Sequence, residues 1–108
     1  MYTSTFIFEA KPYDDEFHRL DNEIAERAHA IPGFLGEEEW FNQETGLYSE
    51  VYYWETREAM QQLIGLPVHR EAKRQHDKWI GSYRVVLGEV IATYGTPGLG
   101  LAHTPTPA

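Results

Sequence analysis

The chain is 108 residues long and sets nine Lys and Arg against seventeen Asp and Glu, a formal charge of −8, with a hydrophobic fraction of 42%. That balance describes one globular domain and excludes collagen-like, disordered and disulfide-scaffold classes. The absence of cysteine excludes disulfides, thiolate nucleophiles, iron–sulfur clusters and cysteine zinc sites, and suits a reducing compartment. No apolar run approaches the ~18–20 residues of a membrane helix, and Met1 leads into a strand-like segment with no basic stretch ahead of an apolar one. A soluble, cytoplasmic protein is expected. An acidic surface repels phosphate backbones and anionic lipids, so neither nucleic acid nor membrane is expected as a partner. Aromatic residues make up 14% of the chain, enough to fill a small core or to line a pocket for a flat apolar molecule.

From Tyr2 to Glu9 the sequence YTSTFIFE is rich in β-branched and aromatic residues and ends at Lys11-Pro12, a strand. The period then changes. Phe17, Leu20, Ile24, Ala28 and Ile31 recur at intervals of three and four, with Asp14, Asp15 and Glu16 at the start and Pro32-Gly33 as the stop, an amphipathic helix. Phe34–Phe41 and Leu47–Trp54 flank a short polar link containing Gly46 and read as a β-hairpin. Thr56 caps a helix carrying Ala59, Met60, Leu63 and Ile64 inward, interrupted by Gly65 and Pro67. A second helical piece is expected from about Pro67 to Trp79, and Ser82–Tyr94 as a long closing strand. Residues 1–95 form the domain. The tail, 96–108, holds too many Gly, Pro and Thr residues to form an element and is expected to be mobile or draped over a neighbour.

The order βαββαβ is the ferredoxin-like arrangement, an α+β fold in which a four-stranded antiparallel sheet carries its helices on one face. The strands nevertheless read as apolar on both sides. Leu47, Val51 and Tyr53 alternate with Tyr48, Tyr52 and Trp54, and Tyr83, Val85 and Leu87 with Val86, Val90 and Tyr94. A sheet face left in water should alternate apolar with polar, so a second copy of the same sheet, a homodimer, is the simplest cover.

Residues that could carry chemistry are few. The five histidines are His18, His29, His69, His76 and His103, and the sequence contains no HExxH, GxSxG, GxGxxG or Walker motif. His69 and His76 lie seven apart on a helical segment, about 10 Å along its axis at 1.5 Å per residue, too far for an easy two-histidine metal site. No metal is expected. His69 falls in the first turn of its helix, where the dipole favours the neutral imidazole; both a structural role and a pocket role are open for it, and likewise for His76. Within Glu37-Glu38-Glu39 strand alternation lets at most Glu37 and Glu39 share a face, as a solvated rim or with one carboxyl turned to a pocket. Trp54, Trp79 and Tyr83 sit at element ends that converge between helices and sheet in such folds, as core packing or as walls for a planar ligand.

IPGFLG after the first helix, VYYWETREAM, and GLPVHREAKRQHDKWIGSYRVVLGEV together resemble the antibiotic biosynthesis monooxygenase family of dimeric α+β barrel proteins. The resemblance runs from about Tyr2 to Tyr94. Its most specific parts are the strand-ending Trp54 with its capped helix, the Pro67, His69 and Ala72 segment, and Trp79 with Tyr83 and Val85. It implies a homodimer whose sheets pack into a barrel and a pocket in each subunit. Functions in the family include oxidation of polycyclic phenols with O₂ and neither flavin nor metal, haem degradation, and processing of small signalling molecules. The haem-degrading branch would place a Trp at Leu63, a His at Lys73 and an Asn near Thr5, so its triad is missing here. Cofactor-free oxygenation of a small phenol-like or anthrone-like aromatic fits the residues present: His69 as base, Tyr83 as donor to a developing oxyanion, and Trp54, Trp79 and His76 around the ring. The alternative is a non-catalytic ligand-binding or stress-response module of the same fold.

Overall fold

A computed structural model of the protein describes residues 1–99. Strand β1 (Tyr2–Ala10) leads to helix α1 (Asp15–Ala30), strands β2 (Phe34–Asn42) and β3 (Leu47–Trp54), helices α2 (Arg57–Gly65) and α3 (Pro67–Arg74), and strand β4 (Ile80–Glu89). The sheet is antiparallel throughout in the order β2-β3-β1-β4, the expected ferredoxin-like α+β topology. Among the described residues no helix is long and apolar enough to cross a membrane.

Local chemistry accounts for the elements. The Asp14 carboxylate accepts from the Phe17 amide at 2.9 Å and caps α1, and the Thr56 hydroxyl caps α2 through the Ala59 amide at 3.1 Å. Leu66, just before Pro67, is held extended at φ −63°, ψ 136°, as a residue before proline prefers, and this separates α2 from α3. Gly33 turns α1 into β2 at φ +96°, where a Cβ would stand 3.0 Å from that of Ala59; the turn needs glycine for both reasons.

Strand registers sort the side chains by face. Tyr2, Ser4, Phe6 and Phe8 of β1 pair with Trp54, Tyr52, Glu50 and Tyr48 of β3, and with β4 residues among which Leu87, Val85 and Tyr83 follow in order. Because Phe8 and Trp54 are core residues, this is the face beneath the helices. Two packed clusters hold the layers together, one around Ala28, Ile31, Trp54, Ala59, Met60 and Leu63, the other around Phe8, Leu20, Val68, Trp79 and Ile80. The opposite face carries Ile7, Val51, Tyr53 and Val86, with Val86 49% and Trp40 61% exposed in the single chain.

Two expectations need correction. The segment from Pro67 is helical only to Arg74; a 3₁₀ turn over His76–Lys78 follows, and β4 starts at Ile80 rather than Ser82. The closing strand also ends at Glu89 rather than Tyr94. Among the described residues β4 pairs with β1 alone, and it ends with that ladder: Glu89 pairs with Tyr2, and the Val90 amide reaches the Met1 carbonyl at 2.8 Å. Ile91 and Tyr94 consequently stand 98% and 96% exposed. Of the expected tail, Pro97–Leu99 form one 3₁₀ turn, while 100–108, with His103, lie outside the described residues.

Candidate functional site

Between the helices and the sheet lies a cavity of about 360 Å³, within the size range of small-molecule sites. Phe6 and Phe8 of β1, Leu20 and Ile24 of α1, and Trp79 ahead of β4 supply apolar walls. Its β4 side is the open one: Tyr83, Val85 and Leu87 line it and are all exposed.

The predicted site residues divide. His69, His76, Trp79 and Tyr83 all line this cavity. Trp54 does not: it is 0% exposed in the first core cluster, and its indole N–H donates to Ser4 Oγ at 3.1 Å. Because Ser4 itself lines the cavity, the ring of Trp54 stands behind the wall and supports it. Trp79 lines the cavity while its N–H donates to Asp14 Oδ1 at 2.9 Å, tying the site to the α1 cap. That carboxyl is lowered from its ordinary range by the Phe17 amide and then by Trp79.

The two cavity histidines differ in how far they are committed. His76 is engaged at both nitrogens, Nδ1 with the Lys73 carbonyl at 2.8 Å and Nε2 with Asp77 Oδ1 at 2.9 Å, and its ring meets Tyr83 edge-on at 5.2 Å. It holds the α3 end and the cavity mouth in place. His69 is held below the ordinary histidine pKa by burial first and by the charge of Lys73 second, against the pull of the Ile64 carbonyl. The imidazole is therefore neutral at pH 7, with burial rather than the helix terminus as the leading cause. Its Nδ1 is buried without a hydrogen bond of normal geometry.

A further feature escapes the sequence reading. Glu50 sits on the helix face of β3 between Tyr48 and Tyr52, half-buried, and lines the cavity. Its carboxyl is pushed up to about 8 by burial, by Asp21 of α1 and by the charge and hydrogen bond of Glu39 on β2, with Glu37 adding to the effect. Asp21 is raised too, by burial and then by Glu39 and Glu37. The sequence signal was a lone carboxylate at an even position of an otherwise aromatic strand face. Of the acidic run, Glu37 and Glu39 do share that face, opposite Tyr52 and Glu50, while Glu38 opposes Val51; Glu37 Oε1 meets His29 Nε2 at 2.8 Å. Among the described residues no group of His, Asp or Glu has the geometry of a metal site.

The raised carboxyl fixes a sign for stability. Glu50 holds a proton in the fold that the unfolded chain releases above its ordinary 4.5, so its contribution is full below that pH and is lost as pH rises through about 8. Glu50→Gln should therefore flatten the decline of the melting temperature between pH 5 and 9 and leave the variant the more stable protein at pH 9. Parallel melting profiles for the two proteins would contradict the assignment.

No family model matches the chain, and no curated protein matches it. Solved structures do. Rv0793 from Mycobacterium tuberculosis is 12% identical at a TM-score of 0.69, covering 87% of this chain and 98% of that one. SnoaB, a cofactor-independent oxygenase from Streptomyces nogalater, is 15% identical at 0.67, covering 85% and 94%. A structure described as an antibiotic biosynthesis monooxygenase is 18% identical at 0.65, covering 85% and 100%. At these identities the likeness establishes the fold, and the chain has the fold of the antibiotic biosynthesis monooxygenase structures.

Proposed function

We propose that the protein is a cofactor-independent monooxygenase of small phenol-like or anthrone-like aromatics. The carrying observation is the aromatic-walled cavity of about 360 Å³ with a neutral, half-buried imidazole on its α3 side. An electron-rich phenol or anthrone, once deprotonated, itself reduces O₂, so the protein need only hold the ring, exclude water and handle protons. In this reading His69 takes the substrate proton, Trp79 and Phe6 flank the ring, and Tyr83 at the mouth donates to the developing oxyanion. The likeness to an oxygenase described as cofactor-independent supports it. Leu63 and Lys73, which stand where the resemblance would place the Trp and His of a haem-degrading member, also line the cavity.

The test is oxygen uptake with a panel of anthrones and dihydroxynaphthalenes after exhaustive chelation. Substrate-dependent uptake with quinone as product is expected; none across the panel would favour a ligand-binding module instead.

The reading includes a homodimer through the sheet face opposite the helices, where Ile7, Val51, Tyr53 and Val86 would otherwise face water. Light scattering at micromolar concentration should give twice the chain mass, and Val86→Asp, which sets a charge in that face, should give the monomer. A wild-type monomer would remove the barrel arrangement.

A further inference from the structure

Glu50, at the inner wall of the cavity, and Glu39, beside it on the neighbouring strand, have no part in the reaction as described so far. Glu50 faces the cavity from β3, two strands inward from the open β4 side, roughly 10 Å at the usual strand spacing of about 4.8 Å. Glu39 of β2 stands directly opposite it in the register, which brings the two carboxyls within reach of a hydrogen bond to each other. Two carboxylates are both pure acceptors, so such a bond needs a proton between them. Their surroundings differ. Glu50 is half-buried against the cavity, whereas Glu39 is exposed on an edge strand.

We propose that Glu39 and Glu50 form a proton relay between solvent and the cavity, with Glu50 as the acid that protonates the oxygen released during oxygenation; this rests on the monooxygenase reading above. A separate acid suits that reaction because the departing oxygen needs a proton at the moment the base is taking one from carbon. His69 removes a C–H proton from the ring, and the carbanion reduces O₂ and forms a C–O bond, leaving a peroxide anion that takes that proton back from His69. His69 then takes the second C–H proton as the C=O bond forms and the O–O bond breaks, and the departing hydroxide takes a proton from Glu50 and leaves as water. Glu39 restores the proton to Glu50 from solvent, and His69 releases the one it took to solvent. The substrate loses two hydrogens and gains one oxygen, and the other oxygen of O₂ leaves as water. The cavity histidines do not suit the role: both nitrogens of His76 are engaged, and His69 is already the base.

The neighbours of Glu50 keep the acid loaded. Asp21 faces it from α1, Glu37 and Glu39 from β2, Tyr48 and Tyr52 flank it on β3, and Tyr13 lies close enough to feel its charge. Across the cavity are His69 and Lys73 on α3 and Tyr83 on β4. The carboxylates and burial raise Glu50 while burial and Lys73 lower His69, so at neutral pH one is a protonated acid and the other a neutral base. Opposed shifts of two groups in one site are the pattern of an acid and base pair.

The experiment has two readouts on the full chain. An isotope-edited infrared titration should place the Glu50 carboxyl near 8, and Glu39→Gln, at an exposed position, should lower its midpoint by about one unit or more, because it removes a like charge and the shared proton. A Glu50 midpoint in the ordinary carboxylate range, or one unmoved by Glu39→Gln, overturns the relay. With an anthrone as substrate, kcat/KM should fall above pH ~8, this limb should shift to lower pH in Glu39→Gln, and Glu50→Gln should lower kcat by ~10²-fold with KM little changed. Turnover with a pH profile that neither substitution alters also overturns it. Absence of turnover with a high Glu50 midpoint instead removes the oxygenation reading and the acid role together, while leaving the shared proton, so the two failures read differently.

Discussion

Replacing Trp54 by alanine should cost ~3–5 kcal/mol of folding stability, the usual range for emptying a fully buried tryptophan site. Trp54 is wholly enclosed by Ala28, Ile31, Ala59, Met60 and Leu63, and its ring edges meet Phe34 and Tyr52. Removing it opens a void that the α1, α2 and β3 backbones around it cannot close. It also strips Ser4 Oγ of its donor, a loss that Trp54→Phe isolates at about 1 kcal/mol while keeping most of the volume. Against the ~5–15 kcal/mol typical of a domain, the loss in Trp54→Ala is a large share, and the melting temperature should fall by ~10 °C or more. Denaturant unfolding of both variants, read by circular dichroism, checks this. A Trp54→Ala protein that unfolds within 1 kcal/mol of wild type but has lost ligand affinity would return the residue to the cavity wall.

That residue shows where the sequence was legible and where it was not. The alternation in β3 assigned Trp54, Tyr52 and Tyr48 to one face and Val51 and Tyr53 to the other, and the registers agree. Periodicity gives the face but not the depth. Trp54 lies at the inner end of the strand under α2, and Tyr83 on an edge strand at the mouth. Tyr83 is accordingly 45% exposed. The composition of β4 overruns the strand for a related reason: Ile91, Ala92 and Tyr94 continue it, yet the ladder to β1 ends at the pair of Tyr2 and Glu89. Propensity is a property of one segment; a ladder belongs to two. Glu50 carries no comparable mark in the sequence, where the consecutive Glu37-Glu38-Glu39 is the conspicuous acidic run. The consequential carboxyl is the isolated one, made so by burial, by Asp21 of α1 and by a cross-strand neighbour eleven residues away in sequence and directly opposite in the sheet.

His69→Ala should lower kcat by ~10²-fold or more with an anthrone substrate, the usual scale for a general base, with little change in KM. Trp79→Ala should act differently. Its ring is packed against Phe17 at 5.6 Å, and its N–H ties the Asp14 cap of α1 to the start of β4, so its loss should raise KM and lower the melting temperature before it touches the chemical step. The pH dependence separates the two further. Because burial and Lys73 hold His69 below the ordinary histidine value, the wild-type rate should rise with pH through a midpoint lower than that of a free imidazole, the base being active only when neutral. Removing the charge nearby with Lys73→Gln should move that midpoint up, since it takes away the second cause of the shift, and leave the plateau rate unchanged. A His69→Ala protein that folds and turns over at the wild-type rate would remove the imidazole from the mechanism. An acid limb that stays in place in Lys73→Gln would mean that some other group, not His69, carries it.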